Sequence, residues 1–142
     1  MQRKKKWLVP LLCGLAVVLL FRLVFFIGYV PSVSMEPTIQ KGSYIFGWRI
    51  HGELRQGDII IFRHEGCVLV KRIAAVPGDV VYLCDADHSV TVNEKTETAT
   101  RTLTVPDGCY FMLGDNVSDS WDSRYWEEVW IVRSDIVGKV ID

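Results

Sequence analysis

The sequence predicts an all-β fold in which antiparallel sheets form one compact domain, preceded by a single N-terminal transmembrane helix. Three observations predict it. The first 30 residues contain one long apolar run, and the rest of the chain alternates short β-branched and aromatic segments with turn residues. No segment after residue 30 keeps helical periodicity for three turns. The length of 142 residues suits one such domain plus an anchor.

The transmembrane anchor is predicted for residues 7–30, a run in which Arg22 is the single charged residue. As a helix it would be about 36 Å long at 1.5 Å per residue. That length crosses a hydrocarbon core of about 30 Å with some tilt. A cleaved signal peptide is the alternative, but the run is longer than a typical h-region and no A-x-A site follows it. The sequence therefore favours a retained anchor.

Charge is distributed unevenly along the chain. Residues 1–30 carry five basic groups and no acid, whereas residues 31–142 carry 11 basic and 17 acidic groups, a net charge of -6. The basic segment 1–6 predicts a cytoplasmic tail, which places residues 31–142 outside the cell membrane in a single-pass protein. An acidic domain argues against nucleic acid as a partner, and the anchor makes the lipid bilayer an expected one.

The domain is predicted to consist of short strands separated by turns. The dipeptide Glu65-Gly66 between two apolar runs predicts a tight hairpin turn. Residues 94–101 are predicted to form an exposed loop, and residues 123–129 a short helix or helical turn. The predicted strands are 43–48, 58–64, 67–76, 80–84, 89–93, 101–105, 109–113 and 136–141.

Histidine and cysteine positions predict no metal site, and no motif predicts a cofactor. The three histidines form no HExxH or i, i+4 pattern, and the four cysteines form no CxxC motif. Three cysteines lie outside the anchor, and two interpretations stay open for them: one disulfide plus a free thiol, or three buried thiols in a β core. No oligomeric state is predicted.

Two segments contain more special residues than a turn requires. The first, PSVSMEPT at 31–38, directly follows the anchor and holds two prolines and two serines two positions apart. The second, GDNVSDSWDSR at 114–124, is a dense polar run after an apolar strand. Composition alone allows either a solvated loop or a hydrogen-bonded site for this second segment.

A third feature is Lys71, which lies in an apolar strand between Val70 and Arg72. Such a lysine commonly lies at a sheet edge or extends its amine to water. The alternative is a buried neutral amine, because desolvation lowers the pKa of a lysine from about 10.4 by several units. A neutral lysine can act as a general base. The strand pattern leaves both interpretations open.

In their order along the chain, the serine segment, the Lys71 segment and the polar run at 114–124 resemble the bacterial type I signal peptidases, the S26 serine peptidases. PSVSMEPT is similar to the nucleophile box of that family, KRIAAVPGD to its lysine box, and GDNVSDSWDSR to its GDN box. Three boxes in order are more specific than any one of them. The resemblance spans the chain, with one departure: Ala75 stands where members often carry glycine. The short length is similar to the compact Gram-positive forms.

The resemblance implies a membrane-bound serine endopeptidase that removes N-terminal signal peptides from secreted preproteins after small residues of the A-x-A type. It implies that Ser34 is the nucleophile of an acyl-enzyme mechanism and that Lys71 is its general base. It also implies that the Ser32 hydroxyl contributes to the oxyanion hole and that Ser120 orients the lysine amine.

The remaining residues implied by the resemblance support the site or contact substrate. Those in structural support are Asp115, Asn116, Asp122 and Arg124. Those lining a pocket for small side chains are Val30, Met35 and Val70. Two other functions stay open: a Ser/Lys peptidase dedicated to a narrow client such as pilins, and a non-enzymatic membrane-tethered β domain. Trp126 and Trp130 either contact lipid or, more commonly for such residues, pack in the core.

Overall fold

The computed structural model describes residues 5–141 and consists of one N-terminal helix followed by two antiparallel sheets, so the predicted all-β class is confirmed. Two 3-10 helices, Val117–Asp119 and Arg133–Asp135, interrupt the strands. The elements are α1 (Lys5–Val24), β1 (Phe25–Tyr29), β2 (Tyr44–Trp48), β3 (Ile59–His64), β4 (Cys67–Ala75), β5 (Val80–Leu83), β6 (Val90–Val92), β7 (Arg101–Thr104), β8 (Cys109–Leu113), β9 (Ile131–Val132) and β10 (Ile136–Val140).

Helix α1 ends at Val24, so the prediction of one continuous helix to residue 30 is wrong in its last part. The next residues form β1, which pairs antiparallel with β2 along its whole length. The ring of Phe26 on β1 occupies the place where a side chain at Gly47 of β2 would lie. Because of this cross-strand packing, the aromatic residues of β1 pack better in a strand than in a continued helix. Apolar composition alone does not distinguish these two conformations.

The helix that remains is still long enough to span a bilayer. Its window Trp7–Val24 has a mean hydropathy of 2.4, and none of it is buried inside the protein. Residues 1–4 of the predicted cytoplasmic tail lie outside the described residues.

The larger sheet has the strand order β1-β2-β10-β3-β4-β8-β9, and the smaller one has the order β6-β5-β7. Strand β3 is apolar on both faces, because Ile59 and Ile61 join one core cluster while Ile60 and Phe62 join another. A strand covered on both faces explains its continuous apolar sequence. Strand β4 lies between β3 and β8, and this position brings its residues to the candidate site.

All eight predicted strands are present, with ends displaced by at most one residue. The predicted hairpin is confirmed: Glu65 and Gly66 have φ of 49° and 78°, and the flanking residues of β3 and β4 pair directly. Two positive φ values in a two-residue loop match the type I′ turn that suits twisted strands.

Residues 123–125 form a turn, closed by a 2.9 Å bond from the Tyr125 N–H to the Asp122 carbonyl.

The four cysteines are unpaired, and Cys67 is exposed on β4, so neither a disulfide nor three buried thiols describes the domain.

Both tryptophans considered for lipid contact pack on the core. Trp126 is buried with its ring centroid 6.0 Å from that of Phe62, and half-buried Trp130 lies 5.9 Å from Phe111.

Candidate active site

The three segments noted in the sequence meet at one place beside β4. Strand β8 pairs antiparallel with β4 and ends opposite Arg72, so the chain leaves β8 next to Lys71. The segment after β8 then binds the segment after β1. The backbone N–H of Asn116 donates to the Ser34 carbonyl at 3.0 Å, and its side-chain amide donates to the Val33 carbonyl at 3.2 Å. Asn116 therefore fastens the serine segment to the rest of the site.

Gly114 lies at the closest approach of these segments. A β-carbon at this position would overlap the side chain of Ser120 and the backbone carbonyl of Ser34. Only glycine, which has no β-carbon, lets these two segments of the chain approach so closely. The first residue of the GDN box therefore allows Ser34 and Ser120 to lie on either side of it.

Lys71 is buried, with 3% of its surface exposed, and its cross-strand partner on β3 is the fully buried Ile60. Its amine donates a hydrogen bond to Ser120 Oγ at 2.9 Å. Burial lowers the pKa of Lys71 to about 8, although the negative charge of Asp122 opposes this shift. Of the two interpretations that the sequence left open, the buried lysine is therefore the one that occurs.

Asp122 anchors the polar network behind the lysine. Its carboxylate is fully buried and accepts hydrogen bonds from Ser120 Oγ at 2.6 Å and from the Gly114 N–H at 3.0 Å. Arg124 adds two parallel bonds, both 2.8 Å long. Burial alone would raise the pKa of Asp122, but the bonds from Arg124, Gly114 and Ser120 outweigh it and hold the pKa below its usual value. The carboxylate is therefore charged and fully partnered.

Ser34 and Ser32 line a cleft next to this network, with their Oγ atoms 3.3 Å apart. Ser34 is 8% exposed, whereas Ser32 is open to solvent. The cleft has a volume of about 580 Å³. Lys71 lines it together with both serines, and the predicted apolar pocket residues Val30, Met35 and Val70 line it as well.

Comparison with known proteins shows the family of this chain. A family model described as signal peptidase, peptidase S26, matches residues 4–102 and 91–141. The signal peptidase I of Bacillus caldolyticus is 32% identical over an alignment that covers 98% of this chain and 89% of that protein. The chain belongs to the S26 signal peptidase family. The signal peptidase I of Bacillus licheniformis is 30% identical over 84% of this chain and 77% of its own length.

Two further proteins are similar to this chain. Signal peptidase I V of Bacillus subtilis (strain 168) is 28% identical over 99% of this chain and 98% of its own length. A crystal structure of a signal peptidase I from Enterococcus faecalis V583 is 27% identical in sequence, with a TM-score of 0.48. It covers 64% of this chain and 98% of that chain.

The structure adds residues to this S26 site that the motif comparison did not single out. Ser123 is fully buried and forms two hydrogen bonds with the backbone of Met112. Its Oγ accepts a bond from the Met112 N–H at 2.9 Å, and its own N–H donates to the Met112 carbonyl at 3.1 Å. Asp119 and Trp121 form part of the cleft wall. Among the described residues, no group of three or more His, Cys, Asp or Glu side chains is arranged to hold a metal ion.

Asp115 has its partner on β4. Arg72 donates two hydrogen bonds to its carboxylate, at 2.8 and 2.5 Å, and a third to the Gly57 carbonyl at 2.8 Å. Burial raises the pKa of Asp115, but the bonds from Arg72 outweigh that effect and hold the pKa below its usual value. Because side chains alternate along a strand, Arg72 points away from its neighbour Lys71. The pair therefore links the loop to β4 outside the cleft.

We expect Arg124→Met to lower the free energy of unfolding by about 3–5 kcal/mol, because it leaves the buried charge of Asp122 without its main partner. Thermal or urea unfolding in detergent measures this loss. The matched control is Arg101→Met, which removes an exposed ion pair with Asp85 at 3.7 Å and should change stability by less than about 1 kcal/mol. Equal losses in the two variants would contradict the proposed importance of the buried pair.

Proposed function

We propose that this chain is a membrane-bound signal peptidase that cleaves N-terminal signal peptides from secreted preproteins, with Ser34 as nucleophile and Lys71 as general base. The single observation that carries the proposal is the buried amine of Lys71, bonded to Ser120 and lining the same cleft as the Ser34 hydroxyl. Its relatives that bear the name signal peptidase I support the substrate class.

The hydrogen-bond directions explain how Lys71 serves as a base. The Ser120 hydroxyl donates a hydrogen bond to Asp122, so Ser120 Oγ accepts a hydrogen bond from the lysine amine. A neutral amine held this way keeps its lone pair for another proton. Ser34 Oγ attacks the scissile carbonyl while its proton passes to Lys71 Nζ, forming a tetrahedral intermediate. Asp122, kept charged by Arg124, holds Ser120 in the accepting orientation.

The rest of the cycle uses the same groups. Protonated Lys71 gives its proton to the leaving amine as the peptide bond breaks, which leaves the signal peptide esterified to Ser34. Water then attacks the ester while Lys71 takes one of its protons, and that proton returns to Ser34 Oγ as the ester bond breaks. The Ser32 hydroxyl and the Ser34 backbone N–H stabilise the negative oxygen in each tetrahedral intermediate.

We expect Ser32→Ala to lower kcat by about 10²–10³ with little change in KM, because an oxyanion donor acts mainly in the transition state. Steady-state cleavage of a preprotein measures both constants. The control is Ser134→Ala, a change at an exposed serine in the second 3-10 helix. An unchanged kcat in Ser32→Ala would remove this serine from the oxyanion hole.

The shape of the cleft favours small side chains next to the cleaved bond. Val30 and Met35 are 3% and 1% exposed and belong to one packed apolar cluster, against which Val70 also packs. A wall packed this closely accepts a methyl group more readily than a large side chain. This supports cleavage after small residues of the A-x-A type.

Helix α1 supports a location in the cell membrane as a single-pass protein. The predicted division is a cytoplasmic tail at 1–6, an anchor beginning at residue 7 and a peptidase domain from 31 to 142 on the outer side. With α1 ending at Val24, the stretch Phe25–Tyr29 connects the anchor to the domain as part of the sheet. Digestion of sealed, right-side-out vesicles with an added protease tests the orientation: the domain should be accessible and the N-terminus protected.

The decisive experiment is cleavage of preproteins by the full chain in detergent or proteoliposomes. Cleavage of many A-x-A precursors supports the proposal, whereas cleavage of one client alone indicates a dedicated peptidase such as a pilin-processing enzyme. Absence of cleavage, together with no acylation of Ser34 by a serine-reactive penem, would indicate a non-enzymatic tethered domain.

A further inference from the structure

A second cleft, separate from the candidate active site, lies where helix α1 meets the larger sheet. Its volume is about 530 Å³, and Val17, Val18 and Phe21 form its helical wall. Residues at the start of β1 form the opposite wall. Arg22 and Arg49 are the charged residues among those that line it, and no acidic side chain of the described residues does so.

Apolar and charged side chains are arranged along the helix axis rather than mixed. Residues four apart lie one above the other on a helix, so Phe21 follows Val17 and Arg22 follows Val18 on the same face. Arg22 also lies in the last turn of α1. The cleft is therefore apolar towards the middle of the helix and cationic at the end that adjoins the domain.

Arg49 is held at this end by three hydrogen bonds to the terminus of the helix and the start of β1. Its backbone N–H donates to the Val24 carbonyl at 2.7 Å, and its Nε donates to the carbonyls of Arg22 and Phe25, both at 3.1 Å. These bonds position the guanidinium but occupy only one of its three nitrogens. Within residues 5–141, neither Arg22 nor Arg49 forms an ion pair, and both are exposed.

Two unpaired arginines at this end of the helix are not explained by membrane topology. Lys and Arg are enriched on the cytoplasmic side of a membrane-spanning helix, a role that segment 1–6 already serves. In the proposed orientation Arg22 and Arg49 lie at the outer interface instead. Arginines near a helix end extend to the interface, where lipid headgroups lie, and no acidic side chain of the described part of the chain pairs with either of them.

We propose that this cleft binds one anionic phospholipid of the outer leaflet. Its acyl chain lies along Val17, Val18 and Phe21, and its phosphate accepts hydrogen bonds from Arg22 and Arg49, whose planar guanidinium groups match phosphate oxygens. Charge complementarity and continuity with the membrane-spanning helix select this occupant. The inference rests on the proposed placement of α1 in the bilayer.

The test uses the full chain in nanodiscs made from equal amounts of phosphatidylglycerol and phosphatidylcholine. After mild extraction, native mass spectrometry counts the lipids that remain bound. We expect the wild type to retain one phosphatidylglycerol in preference to phosphatidylcholine by at least about fivefold, because phosphatidylglycerol carries a net negative charge whereas the choline cation of phosphatidylcholine is repelled by the two arginines. Arg22→Gln should abolish this preference, and it leaves the Arg22 carbonyl that Arg49 binds. The charge-matched control Arg101→Gln, on the smaller sheet, should keep it.

Other outcomes overturn the inference. Equal retention of the two lipids, or a preference that survives Arg22→Gln, would mean that the arginines do not select the headgroup. Displacement of the lipid by millimolar inorganic phosphate would assign the site to a free anion instead. Failure of the protein to co-elute with nanodiscs would overturn the membrane placement as well. Preprotein cleavage in the same wild-type discs tests the proposed peptidase activity independently of lipid retention.

Discussion

Replacement of Ser34 by alanine is expected to abolish preprotein cleavage, with kcat falling by at least about 10⁴-fold. The hydroxyl oxygen of Ser34 forms the covalent bond to substrate in the proposed mechanism, whereas the neighbouring Ser32 hydroxyl serves the oxyanion hole. The fold should survive the change, because the carbonyl that Asn116 binds is unaltered and the hydroxyl is lost only from a 3.3 Å contact with Ser32. Cleavage rate, acylation by a penem and thermal unfolding are the three measurements.

The matched control for Ser34→Ala is again Ser134→Ala, which should cleave and acylate like the wild type. Cleavage retained by Ser34→Ala would show that another nucleophile is used and would reject the proposed pair. A large fall in melting temperature alongside lost activity would indicate that Ser34 acts in folding. Normal stability with lost acylation is the result that the proposal requires.

Local patterns in the sequence predicted most of the sheet because each strand there carries its own signal. Strands β3 and β4 are rich in β-branched residues, and the Glu65-Gly66 turn between them fixes their register. The end of α1 carried no such signal. Residues 25–29 are as apolar as the helix before them, and the β conformation depends on a partner strand 19 residues further along, as in the pairing of Ile27 with Phe46.

The candidate site likewise combines features that local sequence indicates with features that depend on distant segments. Lys71 could be recognised as a possible base from its apolar neighbours, but its burial depends on Ile60 across the sheet and on the loop after β8. The partner of Asp115 could not be read from its own loop, because Arg72 lies on another strand and reaches it only through the pairing of β4 with β8. Contacts between segments distant in sequence are what local patterns omit.

Replacement of Lys71 by methionine should also lower kcat by at least about 10⁴-fold, because methionine resembles the unbranched lysine stem but lacks the amine that accepts the proton. The control is Lys95→Met, a change on the exposed loop between β6 and β7. For the wild type, kcat/KM should rise with pH and level off above about 8, since only the neutral amine of Lys71 acts as base. A wild-type profile without this rise, or activity retained by Lys71→Met, would reject lysine as the base.

The same variant should be more stable than the wild type, which separates loss of chemistry from loss of fold. Because the pKa of Lys71 falls from 10.5 to about 8 on folding, the unfolded chain binds more protons between these values and wild-type stability rises with pH across that window. Below pH 8 the wild type carries the full penalty of a buried ammonium, of the order of 3 kcal/mol. Lys71→Met has no such penalty, so its stability advantage over the wild type should be largest below pH 8 and shrink towards pH 10.5.

Urea unfolding at a series of pH values measures this difference in stability, with Lys95→Met correcting for groups that titrate elsewhere. A pH-independent difference would mean that the amine of Lys71 is not desolvated by folding, and the explanation for a neutral base in this cleft would fail.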